Sequence, residues 1–231
     1  MRACYQLEVV FLYFHGFGCA QIPKPLATQY VECVRNDKGV DVKSRKMQTP
    51  IFVSRNGDRA FGVVAAQLTP GRGCQNTTML YAAESHSSFR LVFQQEPEPA
   101  PVSSVYDGNG IQAICWSPSG KRVLAEISQW IWGSDFGWND KYVIFSPGDR
   151  TAHPILPVDS VVKQFKQPCG ALIETTGWID DERIELTASP FIGTDEEGTP
   201  DGTPPCVKTP VKFSFDVRTG DLQKLASGHK K

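Results

Sequence analysis

Long apolar runs are missing from this 231-residue sequence. No stretch approaches the ~20 residues that a membrane-spanning helix needs, so no transmembrane segment is expected. Charge imbalance is missing too. Lys plus Arg total 24 against 25 Asp plus Glu, a net charge of −1. A nucleic-acid partner would demand a basic stripe. The longest basic run, Lys43-Ser44-Arg45-Lys46, reads only as a solvated loop or strand edge. Histidine is scarce, with four in the chain, so a metal site or proton relay lacks converging ligands. Cys-x-x-Cys, Gly-x-Ser-x-Gly, His-Glu-x-x-His, the Walker loop and Gly-x-Gly-x-x-Gly are all absent. Ser160-Val161-Val162-Lys163 matches Ser-x-x-Lys, but the Ser-Asp-Asn and Lys-Thr-Gly partners of that chemistry do not occur. No cofactor and no metal are expected. The acidic loop at 193–205 has glycines nearby but not the spacing of a calcium loop.

Helix signals are also few. Seventeen prolines and twenty glycines punctuate the chain, and only 159–165 has the spacing of a helical turn. What is present is a phrase that recurs. Ile114-Cys115-Trp116-Ser117-Pro118-Ser119-Gly120-Lys121-Arg122-Val123-Leu124 reads as strand, tight turn, strand. The segment 51–61, with Ser54-Arg55-Asn56-Gly57 at its centre, aligns with it without a gap. Thr176-Gly177-Trp178-Ile179-Asp180-Asp181-Glu182-Arg183-Ile184 is a third copy, one residue shorter at the turn. The anchors Val53, Trp116 and Trp178 stand 63 and 62 residues apart. A near-constant period of this size means one supersecondary unit used several times. Alternating and β-branched runs fill each unit, separated by turn residues at 56–57, 107–110, 119–120 and 219–220. The predicted fold is mainly β: antiparallel sheets from about three repeats of ~62 residues, packed as a partial propeller or sandwich-like stack. The units fall at about 30–100, 101–166 and 167–231, within one all-β repeat domain covering 21–231. Their indoles are expected to fill the core between sheets.

The phrase resembles the blade repeat of TolB-like and WD40-like β-propellers, in which an aromatic-Ser-Pro-x-Gly turn joins two strands of a blade. Trp116-Ser117-Pro118-Ser119-Gly120 fits that pattern, 53–57 fits with Arg55 in place of proline, and 178–183 lacks the glycine. Phe213-Ser214-Phe215-Asp216 and the Thr219-Gly220 that follows look like a later blade hairpin. Propellers close with four to eight blades, so three units imply an incomplete set.

The first twenty residues read as an export signal. Arg2 supplies a positive charge, 7–17 is mostly apolar though broken by Glu8 and His15, and Gly18-Cys19-Ala20 offers a small-residue cut site. Cys19 as a lipid anchor would want a branched aliphatic where Gly16 stands. A secreted or periplasmic location follows, and cysteine usage agrees. Cys33 and Cys74 flank the first anchor, and Cys169 and Cys206 flank the third, which suggests one bridge in each of those units. In the chain-entropy picture each would contribute about 3–4 kcal/mol. Cys115, inside a strand beside Trp116, reads as a buried free thiol.

The candidate binding residues are Trp130, Trp132, Asp135 and Trp138. The first two share a strand face by period two, and Trp138 is expected on a loop across from them. Aromatic planes beside short polar groups suit a glycan or a partner protein. The expected function is therefore an exported, non-catalytic β-repeat protein that binds such a partner. One rival is a secreted or envelope hydrolase using the carboxylates at 180–185. Another is a structural subunit, since open sheet edges invite oligomerisation.

Overall fold

Four segments with no helical periodicity begin the visible chain. The computed structural model describes residues 31, 33–69, 73–96, 107–131, 137–155, 157–165, 169–191 and 202–226. The expected signal at 1–20 and Cys19 lie outside them. A hairpin of β1 (Val34–Arg35) and β2 (Asp41–Lys43) precedes the first large sheet. That sheet comprises β3 (Arg45–Gln48), β4 (Phe52–Val53), β5 (Arg59–Thr69), β6 (Gly73–Ala83) and β7 (Arg90–Gln95). Both β3 and β4 pair with β5, so together they act as one strand interrupted at Pro50. Proline has no N–H for the ladder. Thr49 compensates: its N–H donates to the Gly62 carbonyl at 2.9 Å, and its hydroxyl accepts from the Gly62 N–H at 3.0 Å.

The second sheet is the meander β8 (Asp107–Trp116), β9 (Val123–Ile131), β10 (Gly137–Phe145) and β11 (His153–Ile155). Helix α1 (Pro157–Gln164) follows, with proline in its first turn where a missing N–H costs nothing. The third sheet is the meander β12 (Ala171–Trp178), β13 (Arg183–Pro190), β14 (Val211–Asp216) and β15 (Leu222–Lys224). All large-sheet pairings are antiparallel, and none of the sheets closes into a barrel.

The sheets stack face to face around two apolar seams. In the first seam Ala60, Val64, Leu80 and Ala82 meet Ile111, Ile114, Trp116 and Ile127. In the second Cys115, Leu124 and Tyr142 meet Trp178, Ile184, Leu186 and Phe213, with Val161 of α1 packed among them. Each seam repeats one polar device. The Trp116 indole donates to the Phe52 carbonyl at 3.2 Å, and the Trp178 indole donates to the Cys115 carbonyl at 3.4 Å. The acceptor in both cases is the residue just before the previous anchor.

Two expectations change. The turn at 107–110 lies instead inside β8, where Asp107, Gly108, Asn109 and Gly110 pair with Ile131, Trp130, Gln129 and Ser128. Ladder pairing with a long partner overrides their weak strand preference. The gap-free alignment of the first two phrases also fails. Val53 pairs with Arg59, Trp116 with Val123 and Trp178 with Ile184, so the middle turn is one residue longer than the other two.

Candidate functional site

The two ends of the stack differ. At one end lie the tight turns 54–58, 117–122 and 179–183, and they are laced together. The Arg55 Nε and the Asn56 side-chain amide both donate to the Ser119 carbonyl, at 2.9 and 3.0 Å. The Ser119 N–H in turn donates to Asp181 Oδ1 at 2.8 Å. Gly57 and Gly120 sit at φ +84° and +74°, the left-handed region that a side chain resists. The third turn has no glycine. There Asp180 accepts from the N–H groups of Glu182 and Arg183 at 3.0 and 2.8 Å, and from the Arg183 guanidinium.

At the other end β5 gives way to β6, β9 to β10 and β13 to β14, the last across twenty residues, and both disulfides lie there. Cys33 bonds Cys74, with Cα atoms 5.9 Å apart, and Cys169 bonds Cys206, at 4.9 Å. Both pairings are those expected, and Cys115 is free and buried. Beside the second bridge a cleft of about 330 Å³ opens between the end of α1 and β14, lined by Phe165, Val207, Val211 and Phe213 with Lys208 and Lys224. No helix among the described residues is long and apolar enough to cross a membrane.

Of the residues expected to form an aromatic site, the backbones of Trp130 and Trp138 lie toward this second end. Trp130 is the next-to-last residue of β9, and its backbone pairs with Gly137. Trp138 is not on a loop. Its backbone belongs to β10 and pairs with Gln129, so the two tryptophans are not directly opposed. The strand runs on through the polar Asn139 and Asp140, where its register with β9 shifts between Trp138 and Lys141. Trp132 and Asp135 lie outside the described residues.

The carboxylates of the hydrolase alternative are engaged elsewhere. Hydrogen bonds from Arg183 hold the Asp180 carboxyl below the usual range. Burial pushes Asp181 up, but hydrogen bonds from Ser119 and Ser117 and the charge of Lys121 outweigh it, and the net shift is downward. Burial likewise raises Glu185, and Lys212 at 2.6 Å with Thr176 at 2.7 Å brings it down. Each is held ionised in a turn or on a sheet face.

A carboxyl that sequence reasoning missed is Glu126 on β9, 7% exposed. Burial raises it to about 7, and the nearby Glu174 charge adds to the rise, against a Tyr142 hydroxyl 3.5 Å away. Two residues on, the Ser128 hydroxyl is buried without a hydrogen-bond partner. The available signal was an acid set in the apolar run Leu124-Ala125-Glu126-Ile127. Ser160 and Lys163 lie on α1, with Lys163 exposed. His86, in the turn after β6, is exposed, at φ 66°.

No protein-family description and no curated protein matches this chain. Among solved structures it is similar to AtxE2 isopeptidase in its apo form, at 14% identity and a TM-score of 0.43. The similarity covers 77% of this chain and 28% of that one, so this chain spans less than a third of that enzyme's length.

Proposed function

We propose that this is an exported, non-catalytic protein of propeller-blade type that recognises a partner protein or a glycan through the end of the stack where β9 meets β10 and both disulfides lie. The observation that supports this reading is the asymmetry of the two ends. One end is closed by short turns bonded to each other. The other gathers the aromatic hairpin between β9 and β10 and the cleft, and both disulfides lie there. Variable loops on a rigid scaffold are where binding surfaces are built. Two disulfides fit an oxidising compartment. The blade reading rests on the repeated turn phrase and on meanders that pass an indole hydrogen bond from one sheet to the next.

The hydrolase reading is not favoured, because Asp180, Asp181 and Glu185 are all held below the ordinary range. Glycoside hydrolysis needs one carboxyl kept protonated beside an ionised one. The test is binding of Trp138→Ala to glycan arrays and to cross-linked cell-envelope or extracellular proteins, compared with the unmodified chain. Loss of the ligand with an unchanged circular-dichroism melt is expected. Undiminished binding removes this hairpin from the site, and a hydrolytic activity abolished by Asp181→Asn overturns the non-catalytic reading.

A further inference from the structure

The register makes the three sheets comparable residue by residue. Val53, Trp116 and Trp178 occupy one position, opposite Arg59, Val123 and Ile184. On the second and third sheets the face bearing that position is covered by the preceding sheet, and Trp116 and Trp178 are 8% and 6% exposed. On the first sheet that face is open around Val53, while Val63, Thr77 and Ala83 elsewhere on it are buried. Val53 is 60% exposed, and Ile51 and Leu91 nearby are exposed as well. The same face holds Phe61 stacked on Tyr81, ring centres 5.0 Å apart, with Phe89 edge-on to Phe61 at 4.8 Å. This is the surface that forms a buried seam twice elsewhere in the molecule, here left open.

The opposite end of the series is also open. The third sheet's outer face carries Leu172, 46% exposed, together with Glu174, Thr176 and Glu185. It is the face that, on the first and second sheets, receives the next sheet's indole through the carbonyls of Phe52 and Cys115. Val53 has no indole N–H to offer. Its cross-strand partner Arg59 supplies the cation on that face, held over the Phe89 ring at 4.9 Å. A cation at one open end therefore stands against the Glu174 carboxylate at the other, where Glu185 is paired with Lys212.

We infer that the outer face of the first sheet is covered by the third sheet of a second copy of this chain, and reciprocally, so that two chains close a ring of six sheets. Six lies within the four to eight over which such sheets close. A head-to-tail contact that closes after two copies gives a two-fold dimer, not a filament. The inference rests on the blade reading above and extends the two seams inside the chain to a third of the same kind.

Sedimentation of the full chain over a concentration series tests it. The expected result is a concentration-dependent species of twice 25.5 kDa and nothing larger. Val53→Arg and Leu172→Arg both change exposed side chains at opposite ends of the stack. Each is expected to weaken the dimer about tenfold or more, the scale of a lost interface anchor, while the far-ultraviolet circular-dichroism spectrum of the monomer is unchanged. A mixture of the two variants retains one unaltered seam and is expected to form the mixed dimer more tightly than either variant forms its own. A monomer at every concentration overturns the inference. So does a dimer weakened by Val53→Arg but untouched by Leu172→Arg, because the first sheet would then be pairing with its own kind. Ligand capture by Trp138 is read on the same samples. Binding retained without a dimer removes the ring alone, and a dimer that has lost no seam but binds nothing removes the loop-end reading alone.

Discussion

Glu126 is the residue whose chemistry departs furthest from its surroundings. It sits in the second seam with Tyr142 beside it on β10, the Glu174 charge on β12 adds to its shift, and no cation is among the groups that shift it. Its carboxyl is raised to about 7 from an ordinary 4.5, chiefly by burial. The folded protein therefore binds this proton more tightly than the unfolded chain does. The stabilisation is complete below pH ~4.5 and is lost as pH rises toward about 7, a swing on the order of 3 kcal/mol at most. Asp180, Asp181, Glu185 and Asp216 are shifted the other way, so their contribution is lost only as pH falls through the acid range. Between pH 4.5 and 7 the comparison with Glu126→Gln separates this contribution from that of the histidines. Urea titrations across it are expected to show the wild type losing stability as pH rises, with Glu126→Gln nearly flat. An unchanged slope in the variant would mean that the carboxyl is solvated. A single acid in an apolar strand marks a buried carboxyl in sequence, but its protonation depends on what the neighbouring sheet brings against it, and that is set only on folding.

At the scale of the element, the seam is as tight as its smallest residue allows. A Cβ on Gly62 would lie 2.0 Å from Ile111 Cδ1 and 3.4 Å from Ile114 Cδ1. Both side chains are buried, so Ile111 has little room to retreat. Gly62→Ala is expected to cost about 1–3 kcal/mol, the usual price of overpacking, measured as a lowered denaturation midpoint with an unchanged slope. Trp178→Phe removes the donor to the Cys115 carbonyl and leaves a gap beside Leu186, for a loss of about 1–3 kcal/mol. The same substitution at Trp116, whose indole serves the Phe52 carbonyl, is expected to fall in the same range, which is the mark of one device used twice. Most of this was legible. The anchors, the turns between their strands and the hairpin of β14 with β15 followed from turn chemistry and alternation. The strands β2 and β3 did not, because Lys43, Arg45 and Lys46 hide any alternation on a sheet edge where charge is tolerated. Nor did the extra residue in the middle turn, since Ser117 and Gly120 stand at the spacing of Ser54 and Gly57 and conceal the shift that follows them.

Across the whole molecule, covalent and non-covalent stabilisation fall in different places. Neither disulfide crosses a seam. Cys33–Cys74, with 41 residues of separation, ties the entering chain and buried Val31 to the first sheet, and Cys169–Cys206, with 37, ties the start of β12 to the connection before β14. The sheets are joined to one another non-covalently, by apolar burial, two indole hydrogen bonds, the laced turns and the bonds of Arg90, Val92 and Gln95 on β7 to the second sheet and its turn. The pairing itself was readable because each bridge flanks an anchor within its own unit. The seams were readable only as a need for cover, since period alone does not say which face meets which. Loops of this size are worth about 4 kcal/mol each in the chain-entropy picture. Replacing Cys169 and Cys206 by serine should therefore lower stability by up to that amount and expose the cleft end first, where Gly170 and Cys206 also exchange backbone hydrogen bonds with one another's segment. Hydrogen exchange is expected to rise at 202–210 and in β12 before it rises in β8 or β9, which the second seam and the first hold from both sides. Uniform acceleration through all three sheets would mean that the bridge supports the stack as a whole, and that the units do not hold themselves together separately.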